Sequence, residues 1–271
     1  MEHLYSVWSE IATRIETAGY IVLFSDFDGT LAPIVDTPEL AILPERTRQL
    51  LHALKCQPRV TVAIVSGRAL DDIKSKVGIE GVTYVGNHGL EIEGPEVNLV
   101  NPLAEETRPL LHRLHGILSL ALARFTGVII EDKGLTLSVH YRLVEDAEAN
   151  ELKPIIGEII DSVRPTGRIR ITSGKKVYEV RPVVAWDKGE AIDLIVDRLN
   201  RAKGKGKTLP IFLGDDVTDE DGFITIGKRG GISVFVGDAS HDTAALYFLR
   251  SPTEVDQFLS WLLDHAQKRC Q

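Results

Sequence analysis

Two aspartates two residues apart, Asp26 and Asp28, follow an apolar run and precede a glycine. The run, Tyr20 to Phe24, has the length and composition of a buried strand. In an extended chain, residues i and i+2 project from the same side, so the two carboxylates can converge before Gly29 allows a sharp turn. Such a pair either binds a cation or divides nucleophilic and acid–base work between its members. A simple Asp/Gly turn would have the same residues.

A second acidic group, residues 214–220, follows the apolar run Leu209 to Leu213 and includes four acids. Carboxylates this close raise one another's pKa values unless they are paired. A hard divalent cation would relieve this repulsion, and Mg²⁺ held by a few carboxylates, waters and a substrate phosphate fits best. Alternatively, Asp219 and Glu220 are the N-cap and first-turn acids of the next helix.

Two further segments offer partners for an anion. Residues 66–68, Ser-Gly-Arg, follow a strand-like run and begin a helix, so their hydroxyl and N–H groups suit phosphate, although serine is also a common N-cap. Lys188 stands at the start of a predicted helix, where the helix dipole disfavours a cation. It therefore indicates an anionic partner, the alternative being an ordinary surface lysine.

The elements around these segments alternate between short apolar runs and helical periodicity, which is typical of βαβ units around a mainly parallel sheet. In such a sheet the carboxyl ends of the strands share one edge, so the four segments would meet there. Strands are predicted at 21–24, 60–65, 82–85, 209–213 and 232–236, and helices at 44–55, 69–77, 188–199, 219–226 and 253–265.

The periodicity changes between Pro102 and Pro182. This part of the chain predicts a self-contained α+β module of about 80 residues, large enough for its own core. Its predicted elements are helices at 103–125 and 145–163 and strands at 128–130, 135–142, 168–172 and 177–181. We therefore expect a core domain formed by residues 1–102 and 184–271, with a cap domain, residues 103–183, inserted into it.

Composition excludes several classes of function. The net charge of -8 over 271 residues provides no broad basic surface for nucleic acid. The stretch Met1 to Gly19 predicts an amphipathic helix, and no long apolar run indicates a signal peptide or membrane span. The cysteines, Cys56 and Cys270, have neither disulfide-framework nor metal-ligand spacing. We expect a cytoplasmic monomer that acts on a small molecule, without a nucleic-acid or membrane partner.

The chain resembles the haloacid dehalogenase superfamily of phosphohydrolases in four motifs, which follow one another along the sequence: residues 26–31, Ser66, Lys188 and residues 214–216. The resemblance implies an α/β fold, with a Rossmann-like core and an inserted cap of the C2B type. It further implies that Asp26 is the nucleophile, which forms an aspartyl-phosphate, and that Asp28 is first the general acid and then the base. Ser66 and Lys188 would hold the phosphate oxygens, whereas Asp26, the backbone carbonyl of Asp28, and Asp215 would bind Mg²⁺.

Motifs in both predicted domains are similar to those of the trehalose-6-phosphate phosphatases: residues 66–68, 86–91, 131–134, 138–142, 179–182 and 214–220. In that family the cap grips the disaccharide. The matching substrate-binding positions are Glu131, Lys133, Arg142 and Glu179, with His88, Glu91 and His140 nearby, and Thr30, Gly67, Arg68 and Asn87 in the core motifs. Residues 183–187, the segment just before Lys188, depart from the family pattern. In this segment relatives often have a glycine and an asparagine next to the lysine.

The expected function is Mg²⁺-dependent hydrolysis of trehalose 6-phosphate to trehalose and phosphate. The alternatives are a phosphatase for sucrose 6-phosphate or a glycosyl-glycerate phosphate, and a non-catalytic module that binds sugar phosphate. Residues 135–142 alternate between apolar and polar side chains, which suits a sugar-binding face, but a solvated sheet face would look the same. The basic run 203–208 resembles the end of a P-loop, yet it precedes a strand and lacks the first glycine, so we interpret it as a solvated turn.

Overall fold

The computed structural model describes residues 1–163, 167–174, 176–203 and 208–268. The chain forms two compact units: Met1–Leu99 with Trp186–Gln271, called the first unit below, and Val100–Ala185, called the second unit. Most of the basic run 203–208, and Cys270, lie outside the described residues. Among the helices in the described ranges, none is long and apolar enough to cross a membrane.

The helices and strands are numbered in chain order. The strands of the described residues are β1 (Glu2–His3), β2 (Tyr20–Ser25), β3 (Val60–Val65), β4 (Thr83–Gly86), β5 (Glu91–Gly94), β6 (Val97–Val100), β7 (Ile129–Asp132), β8 (Leu137–His140), β9 (Ile169–Gly174), β10 (Val177–Pro182), β11 (Thr208–Gly214), β12 (Ile232–Val236) and β13 (Tyr247–Leu249). The helices are α1 (Trp8–Thr17), α2 (Glu45–Lys55), α3 (Leu70–Val77), α4 (Pro102–Glu105), α5 (Arg108–Leu122), α6 (Asp146–Val163), α7 (Lys188–Lys203), α8 (Glu220–Lys228) and α9 (Pro252–Lys268).

The first unit is built on one sheet with the strand order β1-β13-β12-β11-β2-β3-β4-β5-β6. The pairs from β1 through β13, β12, β11, β2 and β3 to β4 are all parallel. The β4–β5 pair is antiparallel. The predicted mainly parallel α/β sheet is therefore confirmed, and an antiparallel edge is added to it.

Both faces of this sheet are covered by helices. Alternate residues of β2 point to opposite faces, so Ile21 and Leu23 pack in the cluster that includes α1, α2 and α9, whereas Val22 and Phe24 pack in the cluster with α7 and α8. A parallel strand buried on both sides reads as a continuous apolar run, which explains the sequence of β2. Because β2 lies centrally in this sheet, the residues that follow it are rigidly placed.

The second unit contains a four-stranded sheet with the order β7-β8-β10-β9, in which all three neighbouring pairs are antiparallel. Its core is formed by apolar side chains of α5 and α6 packed against one face of this sheet, among them Leu114, Leu118, Leu152, Ile156 and Val139. The opposite face is left to polar side chains. The functions assigned to residues 1–102 with 184–271 and to residues 103–183 remain predictions.

The prediction of one helix over 103–125 was wrong, because α4 and α5 are separate. Asn101 caps α4 by accepting hydrogen bonds from the N–H groups of Leu103 and Ala104. Pro109 lies in the first turn of α5, where its missing N–H group costs no hydrogen bond. The predicted N-terminal helix likewise begins only at Trp8. The short strands β1, β5, β6 and β13 were not predicted.

Candidate active site

Asp26 lies immediately beyond the end of β2 and is buried. Its backbone N–H donates to the carbonyl oxygen of Leu213 in β11, at 2.8 Å, so the residue is fixed by the neighbouring strand. Its Oδ1 accepts a hydrogen bond from Nζ of Lys188 at 2.7 Å. The first aspartate of the motif is therefore oriented by main-chain and side-chain contacts from two distant parts of the sequence.

Lys188 is the first residue of α7, and only 2% of its surface is exposed. Its ammonium group also donates to Oδ1 of Asp219 at 2.6 Å. Burial alone would lower the pKa of Lys188, but the attraction of Asp219 and Asp26 outweighs burial and raises it. The lysine is thus a permanent positive charge between two buried carboxylates.

Asp219 was predicted only as an acid of a helix N-terminus, but it is also part of the site. It is completely buried, and its Oδ2 accepts the backbone N–H groups of Asp215 and Asp216, each at 3.1 Å. With Asp216 it forms a reciprocal capping box around the short 3-10 helix Val217–Asp219. One carboxylate therefore both shapes the loop after β11 and binds Lys188. The acidic run 214–220 was the only sequence signal that could have indicated this.

Oxygen atoms of Asp26, Asp215 and Asp219 lie within 4.8 Å of one another. Burial raises the pKa of Asp26 well above its ordinary value, and burial followed by the Asp219 carboxylate raises the pKa of Asp215 to about 7. Within the described residues, one ammonium group, that of Lys188, faces these three carboxylates. A further positive charge would relieve the remaining repulsion.

The donor set fits Mg²⁺, which prefers hard oxygen ligands and few protein carboxylates. Asp26 and Asp215 each use Oδ1 for a hydrogen bond, with Lys188 and with Thr30 respectively. In contrast, both oxygens of Asp219 are used by the protein. Asp26 and Asp215 would therefore hold the ion directly, and the backbone carbonyl of Asp28 remains a predicted third ligand.

The turn after the second aspartate positions Asp215. Gly29 has φ +86°, and a Cβ atom built on it would lie 2.0 Å from Oδ2 of Asp215. Thr30, predicted to bind substrate, is buried and donates from Oγ1 to Oδ1 of Asp215 at 3.0 Å. The glycine is required both by its backbone conformation and by the carboxylate that lies against it.

We expect Gly29→Ala to weaken metal binding. The new methyl group must displace the Asp215 carboxylate, and the Mg²⁺ concentration for half-maximal activity should rise about 10- to 100-fold. The measurement is a Mg²⁺ titration of phosphate release. Gly227→Ala is the matched control, since Gly227 lies in α8 and a Cβ there meets nothing within 4 Å. An unchanged Mg²⁺ requirement in Gly29→Ala would remove Asp215 from the metal site.

Asp28 does not join the acidic cluster of Asp26, Asp215 and Asp219. Its carboxylate accepts two hydrogen bonds from Arg68, Nε to Oδ2 and Nη2 to Oδ1, both at 2.7 Å. The expected convergence of the two aspartates requires an extended chain through Asp28, but β2 ends at Ser25. Arg68 thus contacts the second carboxylate of the Asp26–Leu31 motif, and its predicted contact with substrate stays a prediction.

Five predicted site residues of the core lie directly after β3 or β4: Ser66, Gly67, Arg68, Asn87 and His88. Ser66 is buried, and its N–H donates to the carbonyl oxygen of Val85 at 2.9 Å. A Cβ atom on Gly67 would lie 2.4 Å from Cε1 of His88, so the imidazole packs directly on the glycine backbone. Asn87 donates from Nδ2 to Oε2 of Glu91 at 2.7 Å, and its N–H donates to the carbonyl oxygen of Arg68 at the same distance.

The segment that departs from the family pattern is also attached to these loops. Trp186 donates from Nε1 to the carbonyl oxygen of Gly89 at 2.7 Å. This hydrogen bond fixes the chain two residues before Lys188 against the loop that follows β4. The start of α7 is thus placed without the glycine and asparagine expected beside the lysine.

Four of the five predicted cap residues lie on the polar face of the sheet in the second unit. Glu131, Ser138 and Glu179 are direct neighbours across β7, β8 and β10 and share one face. Nζ of Lys133 lies 3.7 Å from Glu131 and 3.6 Å from Glu179, and Nε2 of His140 lies 3.1 Å from Glu131. The structure therefore brings acidic and basic groups together in one polar patch.

Arg142 and Ser138 differ from the four predicted residues of this patch, which are Glu131, Lys133, His140 and Glu179. Arg142 is exposed and lies two residues beyond the end of β8. Ser138 was not predicted as a site residue, although it is buried between Glu131 and Glu179. Its hydroxyl makes no hydrogen bond within the described ranges. The sequence signals for a polar side chain at this position were the alternation of residues 135–142 and the family-like motif 138–142.

Comparisons with known proteins agree with this geometry. The family profile "Trehalose-phosphatase" matches residues 24–253. A protein named "Probable trehalose-phosphate phosphatase 4" from Oryza sativa subsp. japonica is 36% identical over 269 residues, which are 97% of this chain and 71% of that protein. A "Trehalose-phosphate phosphatase" from Mycobacterium avium (strain 104) is 36% identical over 255 residues, 91% of this chain and 63% of that protein.

A solved structure shows the same fold. The C-terminal domain of the trehalose-6-phosphate phosphatase of C. albicans superposes with a TM-score of 0.76 at 26% identity, covering 94% of this chain and 96% of that domain. The profile match includes the residues of both units from the end of β2 to the start of α9. The chain therefore belongs to the trehalose-phosphatase family.

Proposed function

We propose that this phosphatase hydrolyses trehalose 6-phosphate to trehalose and phosphate, by phosphoryl transfer to Asp26 and with Mg²⁺ as cofactor. The observation that supports the mechanism most strongly is the buried Asp26 carboxylate, held by Lys188 and facing Asp215 and Asp219. The relatives named above support the substrate. The Lys188 ammonium group, and Mg²⁺ when bound, would favour the ionised form of Asp26 against the burial that raises its pKa, so this nucleophile would need no separate base.

In the first step an oxygen of Asp26 forms a bond to phosphorus while the bond between phosphorus and the sugar oxygen breaks. Asp28, protonated for this step, gives its proton to the departing sugar oxygen. In the second step Asp28, now ionised, takes a proton from water as the water oxygen attacks phosphorus, and the bond to Asp26 breaks. Both steps need Asp28 within hydrogen-bond reach of the reacting oxygen.

Lys188 and Ser66 would hold the equatorial phosphate oxygens, whose negative charge is spread in the transition state. The buried ammonium group is suited to this, because it is charged and fixed before substrate binds. When bound, Mg²⁺ supplies positive charge that offsets the repulsion between the phosphate and the carboxylates.

The polar patch of the second unit would contact the sugar. Glu131, Lys133, His140 and Glu179 present acceptors and donors on one face. Charge-assisted hydrogen bonds from such groups suit the hydroxyl groups of a disaccharide, each of which is both donor and acceptor. We therefore propose that this patch selects trehalose 6-phosphate among phosphosugars.

The test is phosphate release from trehalose 6-phosphate, sucrose 6-phosphate and glucose 6-phosphate, each with Mg²⁺ and with a chelator. We expect kcat/KM for trehalose 6-phosphate to exceed that for glucose 6-phosphate by at least about 100-fold, because unpaired polar groups penalise the smaller substrate. Chelation should stop turnover and added Mg²⁺ should restore it. Equal rates on all three sugars would contradict the substrate, and full activity in chelator would contradict the metal.

A further inference from the structure

The guanidinium group of Arg68 is held on several sides. Besides its two hydrogen bonds to Asp28, it donates from Nη1 to Oδ2 of Asp72 at 2.8 Å and from Nη2 to the carbonyl oxygen of Pro38 at 2.9 Å. Its Cζ lies 5.5 Å from the centre of the Phe27 ring. These contacts come from the loops after β2 and from α3, so the arginine is fixed independently of any ligand.

Burial differs sharply between the two partners. The side chain of Arg68 is 7% exposed, whereas that of Asp28 is 41% exposed. An exposed aspartate samples several rotamers unless a partner restrains it. A planar guanidinium that pairs with both carboxylate oxygens restrains position and orientation together, which a single hydrogen bond cannot do.

The pairing also leaves lone pairs of the Asp28 carboxylate that Arg68 does not use. A carboxylate has about four lone-pair sites, and Arg68 uses one on each oxygen. The remaining sites can carry the proton that Asp28 gives and later takes. In contrast, the guanidinium uses Nε, Nη1 and Nη2 for protein partners. This geometry favours an action through Asp28 over direct contact with the phosphate.

We propose that Arg68 is a positioning residue, which holds the Asp28 carboxylate in the orientation needed for proton transfer in both steps. Arg68 itself forms no covalent bond and transfers no proton. The inference rests on the proposed function, because it takes the acid–base role of Asp28 from that mechanism. It goes further by assigning to Arg68, the third residue of the Ser-Gly-Arg segment, the role of orienting the acid–base residue and not of binding substrate.

The test compares Arg68→Gln, Arg68→Lys and Asp28→Asn in steady-state kinetics with trehalose 6-phosphate. Misorientation of an acid–base group costs about 10- to 100-fold, and we expect that loss in kcat for Arg68→Gln, with KM changed by less than about threefold. Arg68→Lys, which keeps the charge but not the paired geometry, should recover part of the loss. In the Asp28→Asn background, Arg68→Gln should cost almost nothing more.

A direct substrate contact gives the opposite results. KM would rise in Arg68→Gln, and its effect would multiply with that of Asp28→Asn, which would overturn the proposal. Arg48→Gln is the matched control, since the Arg48 guanidinium in α2 donates to the carbonyl groups of Lys76 and Val77 and not to Asp28. Its kcat should equal that of the unmodified protein.

A second substrate separates this inference from the proposed function. The aryloxide of an aryl phosphate such as p-nitrophenyl phosphate departs without a general acid. In the first step, Arg68→Gln should therefore lose less activity with an aryl phosphate than with an alkyl phosphate. If trehalose 6-phosphate is not hydrolysed, the proposed function fails, and the comparison of aryl and alkyl phosphates still tests Arg68. The comparison uses kcat/KM, which reports only the steps through release of the alcohol, and equal losses of kcat/KM on both substrates would overturn the positioning role. If Arg68→Gln does not fold, Arg68→Lys takes its place in every comparison.

Discussion

Asp26→Asn is expected to lower kcat by on the order of 10⁴-fold or more, because the amide cannot accept the phosphoryl group. The substitution should leave the fold intact. Oδ1 of the new asparagine can still accept the hydrogen bond from Lys188, and one of three mutually repelling carboxylates is removed. The melting temperature should therefore be equal to or higher than that of the unmodified protein.

Phosphate release measures the loss of kcat, and a thermal melt followed by circular dichroism measures the melting temperature. Asp264→Asn makes the same chemical change at an exposed position of α9 and should affect neither. Activity in Asp26→Asn within tenfold of the unmodified protein would refute the nucleophile. A lowered melting temperature with lost activity would point instead to a structural need for the charge.

Lys188→Met should remove activity and also destabilise the protein by about 3–5 kcal/mol. The reason is that Asp26 and the fully buried Asp219 lose their common cation. Methionine fills a similar volume, so the cost comes from unpaired buried charge and not from a cavity. This is the largest change in stability that we expect from a single substitution in the site.

Chemical denaturation gives the free energy of unfolding for Lys188→Met and for the double variant Lys188→Met with Asp219→Asn. The double variant should regain part of the lost stability without regaining activity, since one unpaired charge has been removed. Lys228→Met, at an exposed position near the end of α8, is the control and should have little effect on either quantity. An unchanged unfolding free energy in Lys188→Met would contradict the buried ion pairs.

Local sequence patterns predicted the frame of the site well. The apolar run of β2, the parallel strands and the glycine after Asp28 depend on periodicity and backbone preference, which are local properties. The contacts between the site residues depend on tertiary structure, which local patterns do not contain. Asp219 looks like any first-turn acid until its distance to Lys188 is known, and the two residues are 31 positions apart.

The Asp28–Arg68 pair was missed for a related reason. Alternation along a strand predicts a common side for Asp26 and Asp28 only while the strand continues, and β2 ends before either residue. The cation that pairs with each carboxylate then comes from a distant part of the sequence: Arg68 is 40 positions from Asp28, and Lys188 is 162 positions from Asp26. Helix α5 shows the same limit at short range, because the periodic apolar pattern of 103–125 continues across the break before Arg108.

The discontinuity of the first unit has a consequence for biosynthesis. Strand β2 pairs with β11 on one side, and the second unit separates these strands in the sequence. At ordinary elongation rates, Asp215 follows Asp26 out of the ribosome by roughly 10 to 40 s. The second unit, whose strand pairings are more local, can fold during that interval. Asp26 therefore lies beside an unpaired strand edge until β11 has been translated, and an unpaired edge of this kind is open to aggregation.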